Sequence, residues 1–256
     1  MEYQLLMLNS MYKKGIYKIV ANAPLTRDVY RMVLEGDTQW ITRPGQFVNI
    51  ELDGLYLRRP ISICDWDDKT ITIIYKVVGR GTEQMCKMSV GEELDVLTGL
   101  GNGFNPEIEC NEPLLVGGGV GVPPLYHLAK ELLAAGKKVS VVLGFNTSSE
   151  VFYAEEFRQL GADVYVSTAD GSVGVKGFVT DAIREAKIEF DYFYACGPLP
   201  MLKALCDNCS QKGELSFEER MGCGFGACMG CSCKTLTGNK RICKEGPVMR
   251  REEIIW

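Results

Sequence analysis

From Pro113 to Cys209 the chain repeats one rhythm, a short apolar strand followed by a helix. LLVG precedes VPPLYHLAKELLAAG, VSVVLGF precedes SEVFYAEEFRQLG, DVYVST precedes VKGFVTDAIREA, and YFYAC precedes PLPMLKALCDNC. Such alternation constrains the fold strongly, because parallel strands need crossovers, and right-handed crossovers put helices on both faces of a parallel sheet. The stretch Pro113 to Ala129 is the most apolar in the chain, but four Gly and three Pro within its 17 residues exclude a membrane-spanning helix.

Upstream, from Gly15 to about Thr98, the rhythm differs. IYKIVANA, FVNIEL, ISIC, TITIIYKVV and ELDVL are short β-type segments separated by Gly, Pro and Asp turns, with one helical piece near Thr82 to Met88. Closely spaced strands of this kind predict a small antiparallel barrel. From Glu214 onward the chain is short, Cys-rich and unable to build a core without a metal. The reading is an α+β multi-domain chain: an antiparallel β-barrel over residues 1–103, an α/β parallel-sheet nucleotide domain over 104–213, and a small C-terminal segment over 214–256.

The C-terminal segment carries the clearest chemistry. In MGCGFGACMGCSC and beyond, Cys223, Cys228, Cys231 and Cys243 follow C-x4-C-x2-C with eleven residues before the last Cys. This is the plant-type spacing for a 2Fe-2S cluster. Gly222, Gly224, Gly226 and Gly230 allow the backbone to approach the sulfurs. Lys234, Lys240, Arg241 and Lys244, with no acid between Met221 and Lys244, add positive charge or form a solvated face. Cys233 is a spare thiol that could replace Cys231. Cys206, Cys209, Cys228 and Cys231 also fit the C-x2-C pairs of a structural zinc site. Rieske ligation needs two His, and His127, inside a helical apolar pattern, is the only one and reads as a packed core residue.

Gly117, Gly118, Gly119 and Gly121 lie between a strand and a helix, where backbone N–H groups can meet a pyrophosphate. Cys196, Gly197 and Pro198 end a later strand at the sheet edge where α/β proteins bind ligands. GFNTSSE offers Glu150 but no Arg or Lys for a 2′-phosphate, which leans towards NAD over NADP. In the β section, Arg59 and the backbone around Gly81 and Thr82 are placed to take phosphate charge.

Charge excludes some partners. With 28 basic against 33 acidic residues and a net charge of -5, no concentrated basic stripe is present, so nucleic acid is not expected. The N-terminal MEYQLLMLNSMYKK lacks a secretory pattern, and eleven Cys in a reducing compartment read as ligands or small buried residues. A cytoplasmic protein without a membrane segment is the expectation.

The order of Arg-Pro-Ile-Ser in a barrel, a Gly-Thr helix start, GLGNGF, GGGVG and CGP resembles the ferredoxin-NADP reductase superfamily over residues 10 to 210. With SFEERMGCGFGACMGCSC added, the chain is similar to the electron-transfer subunits of dihydroorotate dehydrogenase B. That resemblance implies an FAD site with Arg59, Pro60, Ile61, Ser62, Ile74, Tyr75, Lys76, Gly81 and Thr82, the four cysteines named above as 2Fe-2S ligands, and NAD as diffusible acceptor. It also implies a separate FMN-containing catalytic subunit that oxidises dihydroorotate, with two copies of each subunit. Reductase subunits of the NADH-dependent ferredoxin reductase or sulfide dehydrogenase type share the layout and are the alternative. Relatives in the superfamily more often carry an aromatic at the place of Ile61, where it would cover the flavin ring.

Overall fold

The structure is a computed structural model that describes residues 12–256. Met1 to Met11, most of the stretch on which the expected lack of a secretory pattern rests, lie outside the described residues. Six strands close the barrel: β1 (Lys13–Pro24), β2 (Val29–Glu35), β3 (Phe47–Ile50), β4 (Arg59–Trp66), β5 (Thr70–Lys76) and β6 (Glu93–Leu100). Their order is β1-β2-β5-β4-β3-β6, every pair antiparallel. The short helix α1 (Arg80–Met85) joins β5 to β6.

Strand β2 is absent from the sequence reading. VYRMVLE is rich in Arg, Met, Leu and Glu, which favour helix, and it becomes a strand because pairing with β1 and β5 buries Met32 and Leu34 completely. Burying a side chain of that size contributes about 1.5–3 kcal/mol, more than the propensity difference it overrides.

The second half is one seven-stranded sheet of order β10-β9-β8-β7-β11-β12-β15. It comprises β7 (Pro113–Gly118), β8 (Ser140–Phe145), β9 (Asp163–Thr168), β10 (Val175–Lys176), β11 (Tyr192–Cys196), β12 (Lys212–Ser216) and β15 (Val248–Arg250). Helices α2 (Tyr126–Ala134), α3 (Ala154–Gln159), α4 (Val179–Glu185) and α5 (Leu199–Asn208) cover it. Alternation along β7 sends Leu115 into one core with Leu128, Leu132 and Phe157, and Leu114 and Val116 into another with Ala182, Leu202 and Leu205. Both faces are therefore covered, as expected.

The boundary expected between residues 213 and 214 falls inside β12. β12 runs parallel to β11, and β15 returns antiparallel beside β12, so both ends of the C-terminal segment belong to the nucleotide sheet. Only the excursion between them, which holds the hairpin β13 (Ser232–Thr235) and β14 (Gly238–Arg241), leaves it. Its apolar residues Cys231, Ile242 and Cys243 share a core with Phe47, Leu97 and Leu100 of the barrel and Met249 of β15. The excursion borrows its core from the two larger units. Among the described residues, no helix is long and apolar enough to cross a membrane.

Candidate functional site

The four motif thiols stand as two pairs. Cys228 N donates to Cys223 Sγ at 3.4 Å, Cys223 N to Cys228 Sγ at 3.5 Å, and Ala227 N to Cys223 Sγ at 3.2 Å. Cys243 N donates to Cys231 Sγ at 3.4 Å. Gly224 (φ +78°) and Gly226 (φ +92°) give the turn its left-handed residues, which lets consecutive N–H groups point at sulfur. Burial pushes the Cys223 thiol up, but the N–H groups of Cys228, Phe225 and Ala227 and the Cys228 thiol outweigh it and bring it to about 6. Burial, with the Cys231 and Cys223 thiols nearby, pushes Cys243 up to about 12.

Gly226 of the first turn lies against Arg241 and Lys244, which flank Cys243, and this places the pairs together, yet among the described residues no three Cys, His, Asp or Glu converge on one ion. Two thiols for each of two irons is the arrangement that a 2Fe-2S centre takes. The zinc alternative does not survive. Cys206 packs with Leu202 and Leu205 against the sheet, with Cys209 beside it, whereas Cys231 packs with Phe47 and Leu97 in a separate core and Cys228 is exposed. Cys233 sits on β13 opposite Lys240, half-buried beside the same core as Cys231.

The positive charge expected around the loop is partly neutralised. Lys240 pairs with Glu253 at 2.6 Å, and Arg241 binds Glu245 while its Nη1 donates to Gly226 O at 2.5 Å. Glu245 and Glu253 lie just beyond the acid-free run, so inspection of that run alone could not find them. Arg241 acts as a clamp that ties the first turn to the last.

On the barrel, Arg59 and Gly81 meet although 22 positions separate them. A Cβ on Gly81 would lie 2.2 Å from Arg59 Nε, so the guanidinium lies directly against the start of α1, where its Nη1 also donates to the Leu57 carbonyl. A cation over a helix start suits a phosphate. Thr82 faces inward: its Oγ1 accepts from Val78 N (2.9 Å) and Gly79 N (3.3 Å), building the turn. Tyr75 is also internal, 2% exposed, with its hydroxyl donating to Asn22 Oδ1 at 3.0 Å. Only its backbone is free to meet a ligand. Ile74 packs into the core shared with the nucleotide half, and Ile61 lies half-buried against the barrel interior. Pro60 and Ser62 stand in register with Asn49 and Phe47 of β3.

A cavity of about 400 Å³ opens at the carboxyl ends of β7, β8, β9 and β11. Gly118, Gly119, Glu150, Ser167 and Pro198 line it from the sheet, and Asp28, Val29 and Lys76 from the barrel. Gly117, Gly121, Cys196 and Gly197 shape it without lining it. A Cβ on Gly121 would come within 2.2 Å of Cys196 O, and one on Gly197 within 2.7 Å of Met201 Cε. The expected helix N-terminus is displaced: 3-10 turns at Gly119–Gly121 and Pro123–Leu125 precede α2, so the glycine backbone rather than the helix end faces the cavity. Ser167 Oγ is buried without a partner beside it. Glu150 accepts from Asn146 N (3.1 Å) and Nδ2 (2.9 Å).

Two residues carry more than sequence inspection assigned them. Burial, with Glu218 nearby, pushes the Cys196 thiol up to about 12 against the Ser216 hydroxyl. Glu218 lies in SFEERMGCG without an assigned role; the pairing of β11 with β12 brings it near Cys196. His127 is no plain core histidine. It stacks on Trp66 at 3.5 Å, and its Nδ1 lies 2.6 Å from Asp65 Oδ1, which Lys130 Nζ also reaches at 2.8 Å.

Comparison with known proteins agrees with this geometry. Residues 218–255 match the family described as the iron-sulfur cluster binding domain of dihydroorotate dehydrogenase B, and residues 115–207 match an oxidoreductase NAD-binding domain. The chain is 45% identical over 256 residues to the dihydroorotate dehydrogenase B (NAD(+)) electron transfer subunit of Shouchella clausii, covering 95% of this chain and 98% of that one. The chain belongs to the dihydroorotate dehydrogenase B electron-transfer subunit family.

A second member, from Fusobacterium nucleatum, is 46% identical over 91% of this chain and 95% of its own. Among solved structures, an NADH-dependent reduced ferredoxin-NADP oxidoreductase superposes with a TM-score of 0.85 at 33% identity, covering 94% of this chain and 90% of that one. A cytochrome P450 reductase from Amycolatopsis, with a TM-score of 0.68 and 21% identity over 77% of this chain and 65% of its own, shares the fold.

Proposed function

We propose that this chain is the electron-transfer subunit of an NAD-linked dihydroorotate dehydrogenase in pyrimidine synthesis. It takes the electrons that an FMN-containing catalytic subunit removes from dihydroorotate and delivers them to NAD+. The observation that carries this reading is the presence in one chain of two thiol pairs and a nucleotide crevice, with a phosphate-suited barrel face at Arg59 and Gly81. When bound, a 2Fe-2S cluster supplies one-electron traffic, and FAD converts between single electrons and the hydride that nicotinamide takes.

The residues fit those groups. Cys223, Cys228, Cys231 and Cys243 would hold the cluster, with the N–H groups of Ala227, Cys228 and Cys243 stabilising their thiolates. Arg59 and the Gly81 backbone would hold the FAD phosphates, and Pro60, Ile61, Ser62, Ile74, Tyr75, Lys76 and Thr82 the rest of its binding face. Gly118, Gly119 and Pro198 would receive the nicotinamide nucleotide in a crevice shaped by Gly117, Gly121, Cys196 and Gly197. Among the described residues Lys76 is the only cation that lines the crevice, and it is paired with Asp28 at 3.1 Å, which supports NAD over NADP. No side chain in this scheme acts on dihydroorotate; the chain's part is to position.

The assembly we propose holds two copies of each subunit in the cytoplasm, where eleven unpaired thiols suit a reducing environment. The test is Cys228→Ser in the reconstituted complex. Oxidation of NADH with an artificial flavin acceptor should persist, while dihydroorotate-to-NAD transfer is lost. Unimpaired transfer would refute the relay.

A further inference from the structure

Strand β3 is buried along its whole length, and its side chains alternate. Val48 and Ile50 enter the barrel core, so Phe47 and Asn49 point outward, where Phe47 meets the core that holds Cys231 and Cys243. Asn49 lies under the cluster loop, 1% exposed, and its Nδ2 donates to Cys223 O at 3.3 Å across 174 positions of sequence. Gly224 follows: a Cβ there would lie 2.3 Å from Asn49 Nδ2. The glycine accommodates the amide as well as the turn.

On its other side Asn49 stands opposite Pro60 of β4, inside the segment Arg59 to Ser62, and its own carbonyl accepts from Arg58 Nη1 at 3.2 Å. One side chain therefore touches the carbonyl of a cluster ligand, and its backbone pairs with the strand that bears the flavin motif. Its Oδ1 is buried without a partner. An orphaned buried amide oxygen is destabilising, so packing alone does not account for an amide where a leucine would fill the space.

We propose that Asn49 is a positioning residue for electron exchange between the cluster and the flavin: by holding the Cys223 carbonyl, it fixes the cluster loop against the β3–β4 face. The proposal rests on the relay reading above. A hydride from NADH places two electrons and one proton on the flavin; one electron then passes to the cluster and the other stays until an acceptor removes it.

The test is single-turnover reduction of the complete complex by NADH, followed separately at flavin and cluster wavelengths, in wild type, Asn49→Asp and Asn49→Leu. Asp keeps the shape but sets an acceptor against the Cys223 carbonyl, and Leu keeps the volume. Both should reduce flavin at a rate within about twofold of wild type, keep their iron and slow electron arrival at the cluster by about fivefold, the weight of one buried hydrogen bond. The electron paramagnetic resonance signal of the reduced cluster should shift in both, which a merely structural residue would not cause. Wild-type rates with intact clusters in both variants would overturn the proposal. Iron loss from both would also overturn it, assigning Asn49 to cluster retention. A wild-type cluster that NADH never reduces refutes the relay itself, independently of Asn49.

Discussion

The barrel makes two joints, and they are built differently. Against the nucleotide half it sets a charged lock: Asp65 and Trp66 of β4 meet His127 and Lys130 of α2, and Glu131 backs His127 from within that helix at 3.4 Å. Against the cluster excursion it sets apolar side chains and backbone. There, Phe47, Leu97 and Leu100 face Cys231, Ile242 and Cys243, Asn102 N donates to Gly246 O at 2.7 Å, and Asn102 Nδ2 to Glu245 O at 3.1 Å. The first joint can respond to protons, whereas the described contacts of the second are neutral. The chain thus ties the inferred electron inlet to the flavin barrel by packing, and the nucleotide outlet in part by charge.

The larger effect is expected at the packed joint. Gly101 has φ +78°, and a Cβ there would lie 2.6 Å from Pro247 Cδ and 3.2 Å from Gly246 O. Backbone strain and the clash together predict that Gly101→Ala destabilises the chain by about 2–3 kcal/mol. Thermal melts should fall by about 4–12 °C, by the same amount at pH 6 and pH 9. A fall confined to one pH would break the contrast between the joints.

The smaller effect lies at the charged joint. Burial opposes ionisation of both partners, but His127 and Lys130 hold Asp65 below its ordinary range, and Asp65 and Glu131 hold His127 above its own. The raised His127 contributes stability that is complete below about pH 6.5 and is lost as pH rises through its folded value. The lowered Asp65 contributes above about pH 4 and is lost as pH falls through its folded value. Set against His127→Gln, which removes this titration, the wild type should therefore lose about 2–4 °C between pH 6 and pH 9, the weight of about 1 kcal/mol. An unchanged slope in the variant would place the titration elsewhere.

The two joints also mark where sequence inspection works. The strand–helix alternation and the four-cysteine spacing are local patterns, and β9 and β11 coincide with DVYVST and YFYAC. Strand β2 escaped because its residues favour helix and only its neighbours make it a strand. His127 was misread because its partner Asp65 lies 62 positions upstream, on another unit. Asn49 carries no motif, and Glu218 lies in SFEERMGCG without an assigned role; each acquires its neighbours from strand pairing. The end of the nucleotide sheet was misplaced for the same reason, since β15 reaches the sheet only after the cluster excursion. Contacts that join units leave no periodic trace in either.

The central claim, that one chain couples single-electron traffic to a nicotinamide through its own flavin, is tested most directly by anaerobic titration of the purified chain with NADH, followed by visible absorption and electron paramagnetic resonance. Overlapping flavin and iron-sulfur bands, acid-labile sulfide, bleaching of the flavin, and a reduced-cluster signal of one spin per chain are expected. A colourless protein, or a flavin that bleaches while the cluster stays oxidised, would contradict it.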